Sequence, residues 1–182
     1  MRYIIASDIH GSSTFCKRLL EALQRESADR LVLLGDILYH GPRNPFPEGY
    51  SPKETAELLN GIKDKILCVR GNCDSSVDQM VLDFPVLAEY ALLDMGNNLI
   101  FLTHGDKYDE KNPPHLSKGD VLINGHFHTM RWDNKGGFYY FNPGSVSLPK
   151  DGKQGYILYE NKCFCWKNLN GEELMRINLN LD

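Results

Sequence analysis

The chain has 182 residues and a formal net charge of −4, with 42% hydrophobic and 24% charged residues. That length suits one domain, 1–182, able to bury roughly 70% of its unfolded surface without disulfide or zinc staples. The mild acidity leaves no electrostatic footprint for broad nucleic-acid binding, and no stretch approaches the ~18 apolar residues of a membrane span.

In chain order, "RYIIAS" reads as a buried strand. Residues 13–27 place Phe15, Leu19, Leu20 and Leu23 at helical spacing, with Ser12 or Ser13 as N-cap. "RLVLLGD" is a second buried strand. "LYHGPRNPFPEGY", residues 38–50, is a proline-rich surface insertion. "SPKETAELLNGI" is a helix capped by Ser51 with Pro52 in its first turn. "KILCVRGN" is a third strand, so the first half reads as βαβ units on a parallel sheet. The second half is β-rich: "AEYALLDM", "NLIFLTHG", "DVLINGH", "FYYFNPG", "GYILYE" and "KCFCWKN", with "DMGNN" and "ENK" as hairpin turns. Trp132 and Trp166 are read as packing residues, His115 as surface, and Cys163 and Cys165 as packing on one strand face. The five cysteines show neither zinc spacing nor a disulfide framework, and the N-terminal apolar run is too short for a signal peptide. A reducing, cytoplasmic setting is expected.

Five apolar strands run straight into loops rich in metal-ligand residues. They end in Asp8-Ile9-His10-Gly11, Gly35-Asp36, Gly71-Asn72-Cys73-Asp74, His104-Gly105 and Gly125-His126-Phe127-His128. Sites in α/β sheets form outside the carboxyl ends of strands, so Asp8, His10, Asp36, Asn72, His104, His126 and His128 are expected to converge. Each short motif alone is a common turn or cap sequence. Together, two carboxylates, four imidazoles and an amide oxygen suit two divalent ions about 3.5–4 Å apart. Cation repulsion at that distance calls for a shared anion, and Asp36 is the carboxylate without a partner ligand beside it. Such ligation accepts Mn, Fe, Co, Ni or Zn.

These blocks, "SDIHG", "LGDIL", "RGNCD", "THG" and "GHFH", resemble the motif series of the calcineurin-like metallophosphoesterases. "GDILYHGPRNPFPEGYSP", "VRGNCDSSVDQM" and "FNPGSVSLPK" resemble the small bacterial YfcE-type phosphodiesterases. The resemblance implies an α/β (α+β) four-layer αββα sandwich of two mixed sheets. It implies one metal on Asp8, His10, Asp36 and His128 and a second on Asp36, Asn72, His104 and His126, with manganese the usual ion. It implies hydrolysis of a small phosphodiester by in-line attack of a metal-bridging hydroxide, with Asp36, Asn72, Cys73 and Asp74 as the catalytic group. Alternatives on the same architecture are a phosphomonoesterase and a protein-interaction scaffold. A homo-oligomer is a further expectation.

Cys73 stands where many members of that superfamily carry His. A thiol of reference pKa near 8.5 matches neutral pH less well than imidazole, which predicts a bias toward esters whose alcohol leaves easily. His40, Arg43 and Asn44 are expected to line the substrate pocket, with Arg43 on a phosphate oxygen. The Gly of "FNPGS" is expected to bring backbone N–H groups toward the site.

Overall fold

A computed structural model describes residues 1–179. The strands are β1 (Tyr3–Ala6), β2 (Arg30–Leu33), β3 (Ile66–Cys68), β4 (Tyr90–Asp94), β5 (Leu99–Thr103), β6 (Val121–Asn124), β7 (Met130–Asn134), β8 (Tyr139–Pro143), β9 (Gly155–Glu160), β10 (Cys163–Asn168) and β11 (Glu173–Asn178). The helices are α1 (Ser13–Arg25), α2 (Pro52–Asn60) and the one-turn α3 (Ser76–Gln79). One mixed sheet has the order β11-β10-β9-β1-β2-β3 and the other β4-β5-β6-β8-β7.

The apolar runs are continuous because both faces of each central strand are covered. Successive side chains point to opposite faces. Ile4, Ala6, Leu31 and Leu33 therefore pack under the helices, with Phe15, Leu19, Leu23, Ala56 and Leu59. Ile5, Val32 and Leu34 face the other way and meet Ile100, Leu102, Val121, Ile123 and Phe141 of the second sheet. The outer face of that second sheet carries Phe101, Leu122 and Tyr140, covered by Tyr108, Leu116 and Phe138. This is the layered, two-sheet architecture that the resemblance implies. The fourth layer is thin, a loop from 104 to 120 carrying Tyr108 and Leu116.

Helix α1 is capped by Ser12, whose Oγ accepts from Phe15 N at 3.2 Å. Ser51 is the N-cap residue of α2 and Pro52 occupies its first turn, but the Ser51 hydroxyl makes no capping bond. Asn161 and Lys162, both at positive φ, form the tight turn between β9 and β10. Two edge strands, β7 and β11, were not expected. Trp132, read as packing, lies on β7 and is 40% exposed, whereas Trp166 is buried and donates from Nε1 to Asn142 O at 2.7 Å. His115 is exposed. Cys163 and Cys165 face the Arg176 guanidinium of β11, and all five cysteines are free. Among the described residues, no helix is long and apolar enough to cross a membrane.

Glu26, just past α1, ties helix to sheet. Its carboxylate accepts from Lys167 Nζ at 2.8 Å and from Tyr156 Oη at 2.9 Å. Burial alone would raise the Glu26 carboxyl, but the Lys167 bond, with help from Tyr156, holds it below its ordinary value. A carboxyl depressed in the folded state stabilises above its unfolded pKa, about 4.3, and loses that contribution as pH falls through the folded value. Glu26→Gln is therefore expected to cost about 2 kcal/mol at pH 7. Denaturant titration of both proteins should show the gap shrinking below pH 4.3 or so.

Candidate metal centre

The candidate residues sit where β1, β2, β3, β5 and β6 end, on one edge shared by the two sheets. Their placement requires an unusual backbone. Asp8, His10, Asp36, His126 and His128 all have φ between 50° and 65°, which makes them five of the eight positive-φ non-glycine residues among those described. That left-handed conformation turns the chain sharply and aims each side chain inward. It costs a non-glycine residue on the order of 1 kcal/mol or more. Glycines beside these turns permit the close approach. A Cβ on Gly71 would overlap the Asp36 carboxylate, and one on Gly125 would overlap Ser7 and the Asp8 carboxylate.

All seven predicted ligand residues come together. His10 Nε2 and His128 Nε2 lie 3.2 Å apart, and Asp8 Oδ1 lies 3.6 Å from the first and 3.2 Å from the second. Asp36 faces His10 with Oδ2 at 3.8 Å and His104 with Oδ1 at 3.5 Å. His104 Nε2 in turn meets Asn72 Oδ1 at 3.0 Å and His126 Nδ1 at 3.2 Å. Asp36 thus stands between the two histidine groups.

The outer ring nitrogens fix the orientation of three rings. Nδ1 of His10, His104 and His128 lies 2.8, 2.7 and 2.8 Å from the carbonyls of Tyr39, Leu34 and Leu148. A carbonyl only accepts, so each Nδ1 carries a proton and each ring turns its Nε2 inward. Asp8 Oδ1 is buried and without a donor. Asp8 Oδ1, His10 Nε2 and His128 Nε2 therefore converge to within 3.2–3.6 Å of one another. Among the described residues no lysine or arginine reaches either buried carboxylate. That donor set fits a cation. Ligand atoms of Asp8, His10 and His128, of Asp8, Asp36 and His104, and of His10, Asp36 and Cys73 each lie within 4.8 Å of one another.

Electrostatics reflect this crowding. Burial would raise the Asp8 carboxyl, but His10 and His128 hold it well below the ordinary range. Burial lowers His126, and the neighbouring His104 lowers it further. Burial and then the Asp36 carboxylate push the Cys73 thiol up, so it stays protonated at neutral pH rather than acting as a nucleophile.

Asp74 does not face the centre. Its buried carboxylate accepts from the backbone N–H of Asp36 (2.8 Å), Ile37 (2.8 Å) and Gly71 (2.7 Å), clamping the second and third loops together. The "FNPGS" loop also works at one remove. Ser145 and Ser147 donate to Asp8 O, and Leu148 O accepts from His128, so side chains and a carbonyl serve where backbone N–H groups were expected.

A cleft of about 400 Å³ opens over the centre, with Asp36, Asn72, His126 and His128 on its floor and Arg43, Asn44, Phe127 and Lys150 on its walls. His40, expected there, is absent from the lining. Its ring packs among Tyr39, Phe46 and Tyr50, at centroid distances of 4.7, 4.5 and 5.3 Å. Its carbonyl instead accepts from Asn44 Nδ2 at 2.9 Å and shapes the wall. Lys150 was missed; its backbone N–H donates to His128 O at 2.8 Å, which ties this exposed lysine to a candidate ligand.

The family model of the calcineurin-like phosphoesterase superfamily domain matches residues 1–162. Phosphodiesterase YfcE of Escherichia coli K12 is 44% identical over 176 residues, 96% of either chain. A solved structure of that E. coli phosphoesterase superposes with a TM-score of 0.95 at 42% identity, covering 99% of this chain and 100% of the other. A zinc complex of Vps29 from Entamoeba histolytica shares the fold at 19% identity and a TM-score of 0.64, covering 98% of this chain and 99% of that one. With that match spread over both sheets and every loop that carries a candidate ligand, the chain belongs to the calcineurin-like phosphoesterase superfamily.

Proposed function

We propose that this protein is a metal-dependent phosphodiesterase acting on a small phosphodiester, in keeping with its 44% identity to a phosphodiesterase. The observation that carries the reading is the convergence of Asp8 Oδ1, His10 Nε2 and His128 Nε2 beneath an open polar cleft. In this reading Asp8, His10, Asp36 and His128 hold one divalent ion, and Asp36, Asn72, His104 and His126 hold a second, with Asp36 shared. Two such ions supply Lewis acidity toward phosphoryl oxygens and a hydrolytic nucleophile near neutral pH. Manganese is the ion we propose, although the donors also accept iron, cobalt, nickel or zinc. Five free cysteines suit a reducing compartment such as the cytoplasm.

The chain's own residues do the positioning. Three Nδ1–H···O=C bonds lock the imidazole planes, and Asp74 locks the turn that presents Asp36. Asp74 is thus a positioning residue. Arg43 and Lys150, which make no ion pair among the described residues, face the cleft and bind non-bridging phosphate oxygens. Asn44 shapes the wall between them. A monoester brings one more negative charge and usually meets more cations than these two, which favours diesters.

The test is hydrolysis of an activated aryl diester and the matching monoester by metal-stripped protein with manganese restored. The diester should be preferred in kcat/KM by more than about tenfold, ~1.4 kcal/mol. No turnover of either ester with any of the five ions would overturn the proposal. The double variant Arg43→Ala/Lys150→Ala should lose about 10–100-fold in kcat/KM, mostly through KM. An unchanged KM would remove both cations from the substrate site.

A further inference from the structure

The third cluster at the centre includes a sulfur. Sγ of Cys73, a nitrogen of His10 and a carboxylate oxygen of Asp36 lie within 4.8 Å of one another. The thiol is half-buried, lies on the cleft, and is held from two sides. Its backbone N–H donates to Asp36 Oδ1 at 2.8 Å, and Asn72 Nδ2 approaches Sγ at 3.2 Å. That second contact also turns Asn72 Oδ1 toward His104. Gly41 leaves open the space beside the sulfur, since a Cβ there would come to 3.2 Å from it.

We propose that Cys73 makes this centre discriminate between metals: soft divalent ions such as cadmium and zinc recruit Cys73 Sγ as a ligand beside His10 and Asp36, whereas manganese leaves it a free thiol. The argument is one of donor chemistry. Thiolate sulfur suits soft and borderline ions, while carboxylate, amide and water oxygens suit manganese. Recruitment breaks the S–H bond, forms an S–metal bond and releases the proton to solvent, with no change of oxidation state. The sulfur then occupies a position facing the cleft, so soft ions bind tightly and leave less room for substrate. The inference rests on the metal-centre reading above but not on turnover.

Cadmium titration of the metal-stripped protein tests it, followed by ultraviolet absorption and by calorimetry. The parent protein should develop a thiolate-to-cadmium charge-transfer band that Cys73→Ser lacks and Cys163→Ser keeps. Cadmium affinity should fall about tenfold or more in Cys73→Ser, at the low end of what losing even a ligand's supporting partner costs. Manganese affinity should change less than about twofold, because that ion gains little from sulfur. In thiol-labelling assays, manganese-loaded protein should label at Cys73 and cadmium-loaded protein should not. Equal cadmium affinity and an equal band in Cys73→Ser would overturn the assignment of Cys73 while leaving the centre intact. Cadmium binding that Asp36→Asn does not weaken would overturn both.

Discussion

Asp36→Asn is expected to lower diester hydrolysis by about 10³-fold or more while the protein stays folded. Asn keeps the size of Asp and one oxygen, so the bond from Cys73 N to Oδ1 survives. What disappears is the charge that faces His10 with one oxygen and His104 with the other. No neighbour can replace it, because Asp8 already accepts from His126 N and faces His10 and His128. Stability should respond with opposite signs. Without metal, the substitution removes one of three crowded buried carboxylates, Asp8, Asp36 and Asp74, so the melting temperature should rise. With manganese, the parent should gain stability by mass action and the variant should gain much less. Kinetics and calorimetry on the two proteins, each with and without metal, give all four values. A variant within tenfold of the parent in rate would rule out a shared carboxylate.

The second large effect belongs to Asp74. Its carboxylate serves three backbone donors at 2.7–2.8 Å and is only 2% exposed. Asp74→Ala leaves those N–H groups buried and unpaired, at about 1–3 kcal/mol apiece before relaxation. A net loss of roughly 3–5 kcal/mol is expected, or about 10 °C or more in melting temperature for a chain of this size. Activity should fall too, because Asp36 N and Gly71 N are the donors released. Asp74→Asn keeps one acceptor oxygen and should fall between the parent and Asp74→Ala on both scales. An Asp74→Ala protein with parental stability would show that these loops are held together elsewhere.

The parallel strands β1, β2 and β3 were legible because each is an apolar run stopped by Gly or Asp, as in "LVLLGD". The edge strands β7 and β11 were not. "MRWDN" and "ELMRIN" face solvent on one side, carry charges, and depend on pairing with β8 and β10. The loop over Tyr140 has no periodicity to read. Within the site, ligand types at strand ends were visible because metals demand particular side chains. The substrate walls were harder. His40 lies beside the right residues in sequence, yet contacts with Phe46 and Tyr50 draw its ring away. Lys150 reaches the cleft through one backbone bond to His128, a contact across 22 residues that no local pattern announces.

The five left-handed positions carry a further consequence for how this surface can change over time. Asp, Asn and His are the non-glycine residues that best tolerate positive φ, and they are also good ligands for divalent ions. Chemistry and backbone therefore select the same amino acids twice. Glu in place of Asp36 would keep the charge and still fit the turn badly. A lineage that gave up hydrolysis would be released from the first requirement but not the second. Its replacements at positions 8, 10, 36, 126 and 128 should drift toward Gly and Asn rather than toward Ala or Val.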